Sequence, residues 1–283
     1  MGRKILAVSL LLVMVLSFIA CGGEGLPPAQ EIVDGAVQAL DDIRTYEFEI
    51  DMTMGMAGEA EGETFEMTMG TDTSGVLDLD NRQMRMGMVM NMALPGEDEV
   101  DAEVEAYLID NTGYLMTKES GEEPVWEKEK VSGTDWEQTV EMLTMPEPQL
   151  ELLQAAQVEV IGSEKVKGVD CYVLRVTPDM GQLWETAMHQ ATLGFAEEMA
   201  LPTFTEELLD EVSYSSSVKQ WVAKDTYFLM KVEIDMAIEF TAEAMGVEEG
   251  EMTIDSAMTM LVYNYNQPVS IELPPEAEDA IEY

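Results

Sequence analysis

From residue 46 the chain alternates. Tyr46, Phe48, Ile50, Met52, Met54 and Met56 are separated by Glu47, Glu49, Asp51, Thr53 and Gly55. Side chains on an extended strand point to opposite faces in turn, so this period of two predicts a strand with one apolar and one wet face. The stretch from Arg82 to Ala93 repeats the design, with Met84, Met86, Met88, Met90 and Met92 opposite Gln83, Arg85, Gly87, Val89 and Asn91. A 3.6-residue turn would smear these methionines around a helix, so no helical reading accounts for them. Phe65, Met67 and Met69 predict another strand, and Val76 to Leu79 either extends it or begins the next. Asp80-Asn81 predicts the turn into the methionine strand. Val104 to Leu108 and Tyr114 to Lys118 form a hairpin about Asp110-Asn111-Thr112-Gly113, and Trp126 to Val131 closes this first meander.

A different period precedes it. Ile32, Val33, Ala36, Val37, Leu40 and Ile43 recur at helical spacing, which predicts a helix from Ala29 to Arg44, started by Pro27-Pro28. The middle of the chain is expected to be largely helical. Thr134 with Glu137 is a capping-box pattern ahead of Trp136, Val140 and Leu143, and Pro146 stops the helix. A short helical piece over Leu150 to Ala156, an amphipathic helix over Met180 to Met199 and another piece over Phe204 to Leu209 follow the same logic. Between them, Val158 to Ile161 and Val169 to Val176 predict a hairpin around a Gly162 to Gly168 loop.

The last third returns to strands. Ser215 to Ala223 leads through Lys224-Asp225-Thr226 into a strand where Phe228, Met230, Val232, Ile234, Met236, Ile238 and Phe240 face inward. Met252, Ile254, Met258, Met260 and Val262 repeat the theme, and Val269 to Leu273 is expected as a closing strand before Pro274-Pro275. Two meanders of one design predict an α+β fold: a curved antiparallel β-sheet, an unclosed half-barrel, with helices covering its concave face.

The first residues change the picture of where this fold works. Arg3 and Lys4 precede an apolar run from Ile5 to Ala20, too short for a comfortable membrane span. Phe18-Ile19-Ala20-Cys21 looks like a bacterial lipobox. Residues 1–20 are therefore expected to be a lipoprotein signal peptide, and Cys21 the new N-terminus carrying diacylglycerol and palmitate-type chains. Residues 21–28 form a Gly/Pro tether of ~20 Å reach, and 29–283 a single domain. The expected location is the outer face of the cell membrane, or the periplasm or outer membrane of a diderm.

The chain carries 57 acidic against 14 basic residues, a net charge of −43. Such a surface repels nucleic acid and anionic membranes, so no nucleic-acid partner is expected. With Cys21 lipidated, Cys171 has no partner for a disulfide and is expected as a buried, inert thiol.

Several motifs together resemble the periplasmic lipoprotein-carrier superfamily of LolA, LolB and the mycobacterial LppX and LprG lipoproteins. They are Leu40-Asp41-Asp42-Ile43-Arg44-Thr45-Tyr46 running from helix into strand, Gly168 to Leu174 as a central strand, Trp221 to Thr226 as a Trp-containing hairpin, and Val269 to Pro274 as a closing strand. The resemblance covers most of the chain beyond Cys21 and implies an unclosed β-barrel with a helical lid and acyl chains between them. This chain departs from the pattern in its acidity and its methionine use.

Those methionines carry the candidate chemistry. Thioethers are unbranched and polarisable, so Met52, Met54, Met67, Met69, Met84, Met86, Met88 and Met90 are the expected lining of a site for a lipid or other hydrophobic molecule. A second reading packs the same face solid and leaves a structural or protein-interaction lipoprotein. A third is Cu(I) binding by thioethers, but same-face neighbours on one strand stand ~6.6 Å apart, so methionines from adjacent strands would have to converge.

No catalytic constellation is expected, and no enzyme. His189, four residues after Glu185, is expected to make an ordinary surface pair with it, no nucleophile elbow, phosphate loop or zinc spacing occurs, and Arg82 breaks the calcium-loop pattern begun by Asp78 and Asp80. No cofactor is expected.

Overall fold

The computed structural model describes residues 26–60, 63–93, 95–96, 100–131, 156–177, 212–241 and 250–282. The expected helices over 134–146, 150–155, 180–199 and 204–209, and residues 1–25 with Cys21, lie outside them. No helix among the described residues is long and apolar enough to cross a membrane.

Helix α1 spans Ala29–Ala39 and tightens into a 3₁₀ turn over Leu40–Asp42. Pro28 stands at its N-cap, where a missing N–H costs nothing, and Glu31 in the first turn complements the helix dipole. The strands are β1 (Thr45–Ala60), β2 (Glu63–Asp78), β3 (Gln83–Ala93), β4 (Val100–Ile109), β5 (Thr112–Glu119), β6 (Val125–Lys130), β7 (Gln157–Val166), β8 (Val169–Thr177), β9 (Val212–Ala223), β10 (Leu229–Thr241), β11 (Gly250–Tyr263) and β12 (Ile281–Glu282). They form one open sheet in the order β12-β6-β5-β4-β3-β2-β1-β11-β10-β9-β8-β7. Every pairing is antiparallel except that of β12 with β6. The expected architecture, an antiparallel sheet that does not close into a barrel, is the one observed. Its two meanders join at β1 and β11, in register from Glu47 with Tyr263 to Ala60 with Gly250.

The turns follow from residue chemistry. Asp78 at the end of β2 accepts hydrogen bonds from the backbone N–H of Asn81 at 2.9 Å and from its side-chain amide at 2.7 Å. These two local bonds turn the chain from β2 into β3. Asp110 and Asn111 both take positive φ, the two-residue turn whose twist matches a hairpin.

Three expectations are corrected. The Gly162 to Gly168 loop does not exist: β7 runs on to Val166, Ile161 is the extra residue of a bulge between Val160 and Gly162, Gly162 itself pairs with Val173, and only Lys167-Gly168 turns, both with positive φ. Met230 does not face inward. A bulge between Leu229 and Lys231 breaks the alternation, and Met230 packs with Cys171, Val173 and Trp221 on the opposite face. Val269 to Leu273 is not a strand. Both edges of β11 are already taken by β1 and β10, and Pro268 and Pro274 cannot donate to a ladder. Instead Asn266 ties the tail down: its side chain accepts from the Arg44 N–H at 2.7 Å and donates to the Asp42 carbonyl at 2.9 Å. The chain then reaches the far edge of the sheet, where a 3₁₀ turn over Pro275–Asp279 lies against β6.

The inner face, the one that carries α1, holds most of the core. Ile32 of α1 is buried against Leu174 and Val222, over β7 to β10. A larger cluster of Tyr46, Phe48, Leu77, Met84, Leu108, Val232, Met260 and Val262 crosses the junction of the meanders. The outer face is not uniformly wet as expected. Cys171, Val173 and Trp221 form an apolar island there, capped by the Lys231 ammonium at 4.6 Å from the Trp221 ring and by Glu164, which accepts the indole N–H at 2.8 Å.

Candidate functional site

Residues directly opposite in antiparallel strands share a face, so the register assigns the inner surface row by row. Tyr46, Leu77, Met84 and Leu108 form one row across β1 to β4, and Phe48, Gly75, Met86 and Ala106 the next. Beyond them lie Ile50, Thr73, Met88 and Val104, then Met52, Thr71, Met90 and Ala102. Met54, Met69 and Met92 make a row of methionines on three adjacent strands, with Met56 and Met67 paired beside it. All eight residues expected to line a site therefore stand on one face. Met258, opposite Met52, and Met236, two strands from Met54, extend the surface across β11 and β10.

Burial divides this face into three bands. At one end the Tyr46, Phe48, Leu77, Met84 and Leu108 cluster is closed, so Met84 is a core side chain and Met86 leans on it. At the other end Phe240 and Met252 close a smaller cluster with Met56, Phe65, Ile238 and Ile254. Between the two, Ile50, Met52, Met54, Met69, Met88, Met90, Met236 and Met258 are all half-buried, as are Thr71, Thr73 and Ser256. The band is thus apolar, soft and sprinkled with small hydroxyls. Toward the β6 edge a groove of about 340 Å³ runs over Met84, Ala106, Leu108, Leu115 and Val131.

Among the described residues two buried polar groups belong to the inner face, and neither was singled out from the sequence. Gln220 sits opposite Val232. Tyr46 is 7% exposed, its hydroxyl has no hydrogen-bond partner, and burial pushes the phenol well above its ordinary range, so it stays protonated. In the alternating pattern Tyr46 reads as one more apolar position. Periodicity assigns a face, and whether a hydroxyl finds a partner is decided by its neighbours in space.

Cys171 is wholly buried on the outer face. Burial pushes its thiol up, and the Sγ–H donates to the Val169 carbonyl at 3.4 Å. That is the environment of an inert thiol.

The outer face also carries the acids. Glu49, Asp51, Asp72, Glu103 and Glu105 surround a shallow groove at Gly87, yet no group of three or more His, Cys, Asp or Glu among the described residues is arranged to hold a metal ion. The Tyr263 hydroxyl donates to Glu49 at 2.6 Å, and with Lys167 at 3.2 Å it holds that carboxyl below its usual range. Asp51 directly faces Asp72, and the hydrogen bond between them, then desolvation and the repulsion of Asp72 and Glu49, raise the Asp51 carboxyl. A raised folded-state value means the native state holds this proton more tightly than the unfolded chain. The pair therefore costs stability above the folded value, and the cost fades as pH falls through it. Asp51→Asn is expected to stabilise the protein at pH 7 by less than about 1 kcal/mol, given exposure and screening. Urea unfolding should show that advantage vanish in acid; an advantage unchanged down to pH 3 would remove the carboxyl pair as its cause.

The geometry defines an open-sheet protein with a helix on the apolar face and a band of methionine across it. Residues 28–282 match the family of unknown function DUF6612, and the chain belongs to that family. No curated protein matches it. Among solved structures it is similar to the lipoprotein LppX of Mycobacterium tuberculosis, at 10% identity over 86% of this chain and 97% of that one, with a TM-score of 0.40. It is also similar to a DUF1329 family protein from Desulfovibrio piger, at 15% identity over 86% of this chain and 95% of that one, TM-score 0.24. A third is the MucA/MucB complex of Pseudomonas aeruginosa, at 11% identity over 87% of this chain and 67% of that one, TM-score 0.30.

Proposed function

We propose that this chain is an extracytoplasmic lipoprotein, anchored in the membrane through diacylated Cys21, that holds a lipid or other hydrophobic molecule between its inner face and the helices over it. It carries its ligand without changing it. The observation behind this reading is the half-buried band of Met52, Met54, Met69, Met88 and Met90, which lies between two closed clusters and is itself not closed. A core that only had to be solid would favour branched residues of fixed shape; unbranched thioethers re-pack around chains of different form. Residues 1–20 act as the signal peptide, 21–28 as the tether and 29–283 as the carrying domain.

Native mass spectrometry of the full-length chain released from detergent, with extraction and identification of bound lipid, tests this. Acyl lipid is expected to co-purify and to be lost when Met86 and Met88 are both changed to Trp, in a protein whose circular dichroism is unchanged. A chain that comes off clean and takes up no added lipid would instead be the solid, partner-binding lipoprotein.

One observation favours a second reading. Met54, Met69 and Met92 are set side by side on adjacent strands, at a strand spacing of ~4.8 Å, which is the convergence that a thioether Cu(I) site requires. Titrating Cu(I) under reducing conditions in the same spectra separates the two.

A further inference from the structure

The hydroxyl of Tyr46 is the one buried side-chain nitrogen or oxygen among the described residues without a hydrogen-bond partner. Its surroundings are apolar: Phe48, Leu77, Met84, Leu108 and Val262 share its cluster. The nearest phenol, Tyr265, has its ring centroid 6.0 Å away and gives its own proton to the Leu229 carbonyl. A phenylalanine would fill the same space without stranding a polar group, and a stranded hydroxyl is among the costlier features a core can hold. The oxygen therefore calls for a partner that the described residues do not supply.

The placement says which kind. Tyr46 stands in one cross-strand row with Leu77, Met84 and Leu108, and the last two also line the groove that opens toward β6. A hydrophobic ligand lying in that groove, over Ala106 of the neighbouring row, meets the cluster at Met84 and Leu108, in the row of Tyr46. Its innermost oxygen is uncharged, because a carboxylate buried here would meet no cation among the described residues. Arg44 on the neighbouring turn is exposed, 3.7 Å from Asp80, and donates to the carbonyls of Asp41 and Ile43. Resting on the carrier reading above, we propose that the Tyr46 hydroxyl is the polar anchor of the site, donating to an ester, ketone or ether oxygen of a neutral hydrophobic ligand.

The test compares methyl palmitate with a straight hydrocarbon of matching length, titrated onto the full-length chain and its Tyr46→Phe variant and read as adduct occupancy by native mass spectrometry. The natural chain is expected to take the ester at about fivefold to tenfold lower concentration than the hydrocarbon, the worth of one net hydrogen bond. Tyr46→Phe should erase that preference and leave hydrocarbon uptake unchanged. Without ligand, the variant should melt higher than the natural chain. An ester preference that survives in Tyr46→Phe, equal uptake of both probes by both proteins, or a lower melting temperature in the variant each overturns the anchor while the carrier reading stands. If neither protein takes up either probe, both readings are overturned.

Discussion

Replacing Phe48 with alanine is expected to lower stability by about 3–5 kcal/mol, read as a fall in the urea midpoint with the slope unchanged. Phe48 lies in β1, the strand on which both meanders meet, and its ring is 3% exposed. The residue opposite it on β2 is Gly75, and the ring occupies the space above that glycine. A Cβ built there would stand 2.5 Å from two atoms of the Phe48 ring and 2.8 Å from the Arg85 carbonyl of β3. Gly75→Ala alone should therefore cost about 1–3 kcal/mol by overpacking. Combining it with Phe48→Leu should cost less than the sum of the two single changes, because leucine vacates the ring positions. Rescue will be incomplete, since the carbonyl belongs to a paired backbone and cannot withdraw. Strict additivity would mean that ring and glycine are not the complementary pair described.

Ile32→Asp is the second large effect. Ile32 is fully buried beneath α1 against Leu174 and Val222, with Val158, Val160, Tyr172 and Leu229 around it. A carboxylate there has no partner, and the penalty of about 3–5 kcal/mol falls on the contact between helix and sheet. A helix of eleven residues is marginal without tertiary contacts. The expected result is release of α1 while the twelve-stranded sheet persists: faster amide exchange over 29–42, increased binding of a hydrophobic dye, and little change in strand signal. Ile32→Val, which keeps the face apolar, should cost only about 0.5–1.5 kcal/mol. Loss of the whole sheet in Ile32→Asp would show that helix docking and sheet folding are one cooperative event.

Much of this architecture was legible from the order of residues. Tyr46 to Met56, Met84 to Met92 and Val232 to Phe240 alternate cleanly, and each became a strand with its apolar side inward. Alternation is a property of the extended backbone itself, so it survives whatever the chain packs against. The helix starting after Pro28 and the Asp110-Asn111 turn are local in the same sense, because a proline ring or a positive φ carries its meaning alone.

Other features depend on partners distant in the chain. β1 pairs with β11 some two hundred residues later, and that pairing leaves no free edge beside β11 for Val269 to Leu273. Bulges between Val160 and Gly162 and between Leu229 and Lys231 shift the register against neighbouring strands, and the second put Met230 on the outer face. Equal spacing made the eight methionines look alike. The sheet then separated Met84, closed into the core, from Met52, Met54, Met88 and Met90 in the open band, and left the Tyr46 hydroxyl alone among apolar side chains. By itself, the sequence determined which residues form strands and which side of each is apolar, because those follow from backbone period and side-chain chemistry. The tertiary structure alone decided how much of the apolar face is filled and which polar atom on it lacks a partner, because both depend on what lies across the sheet.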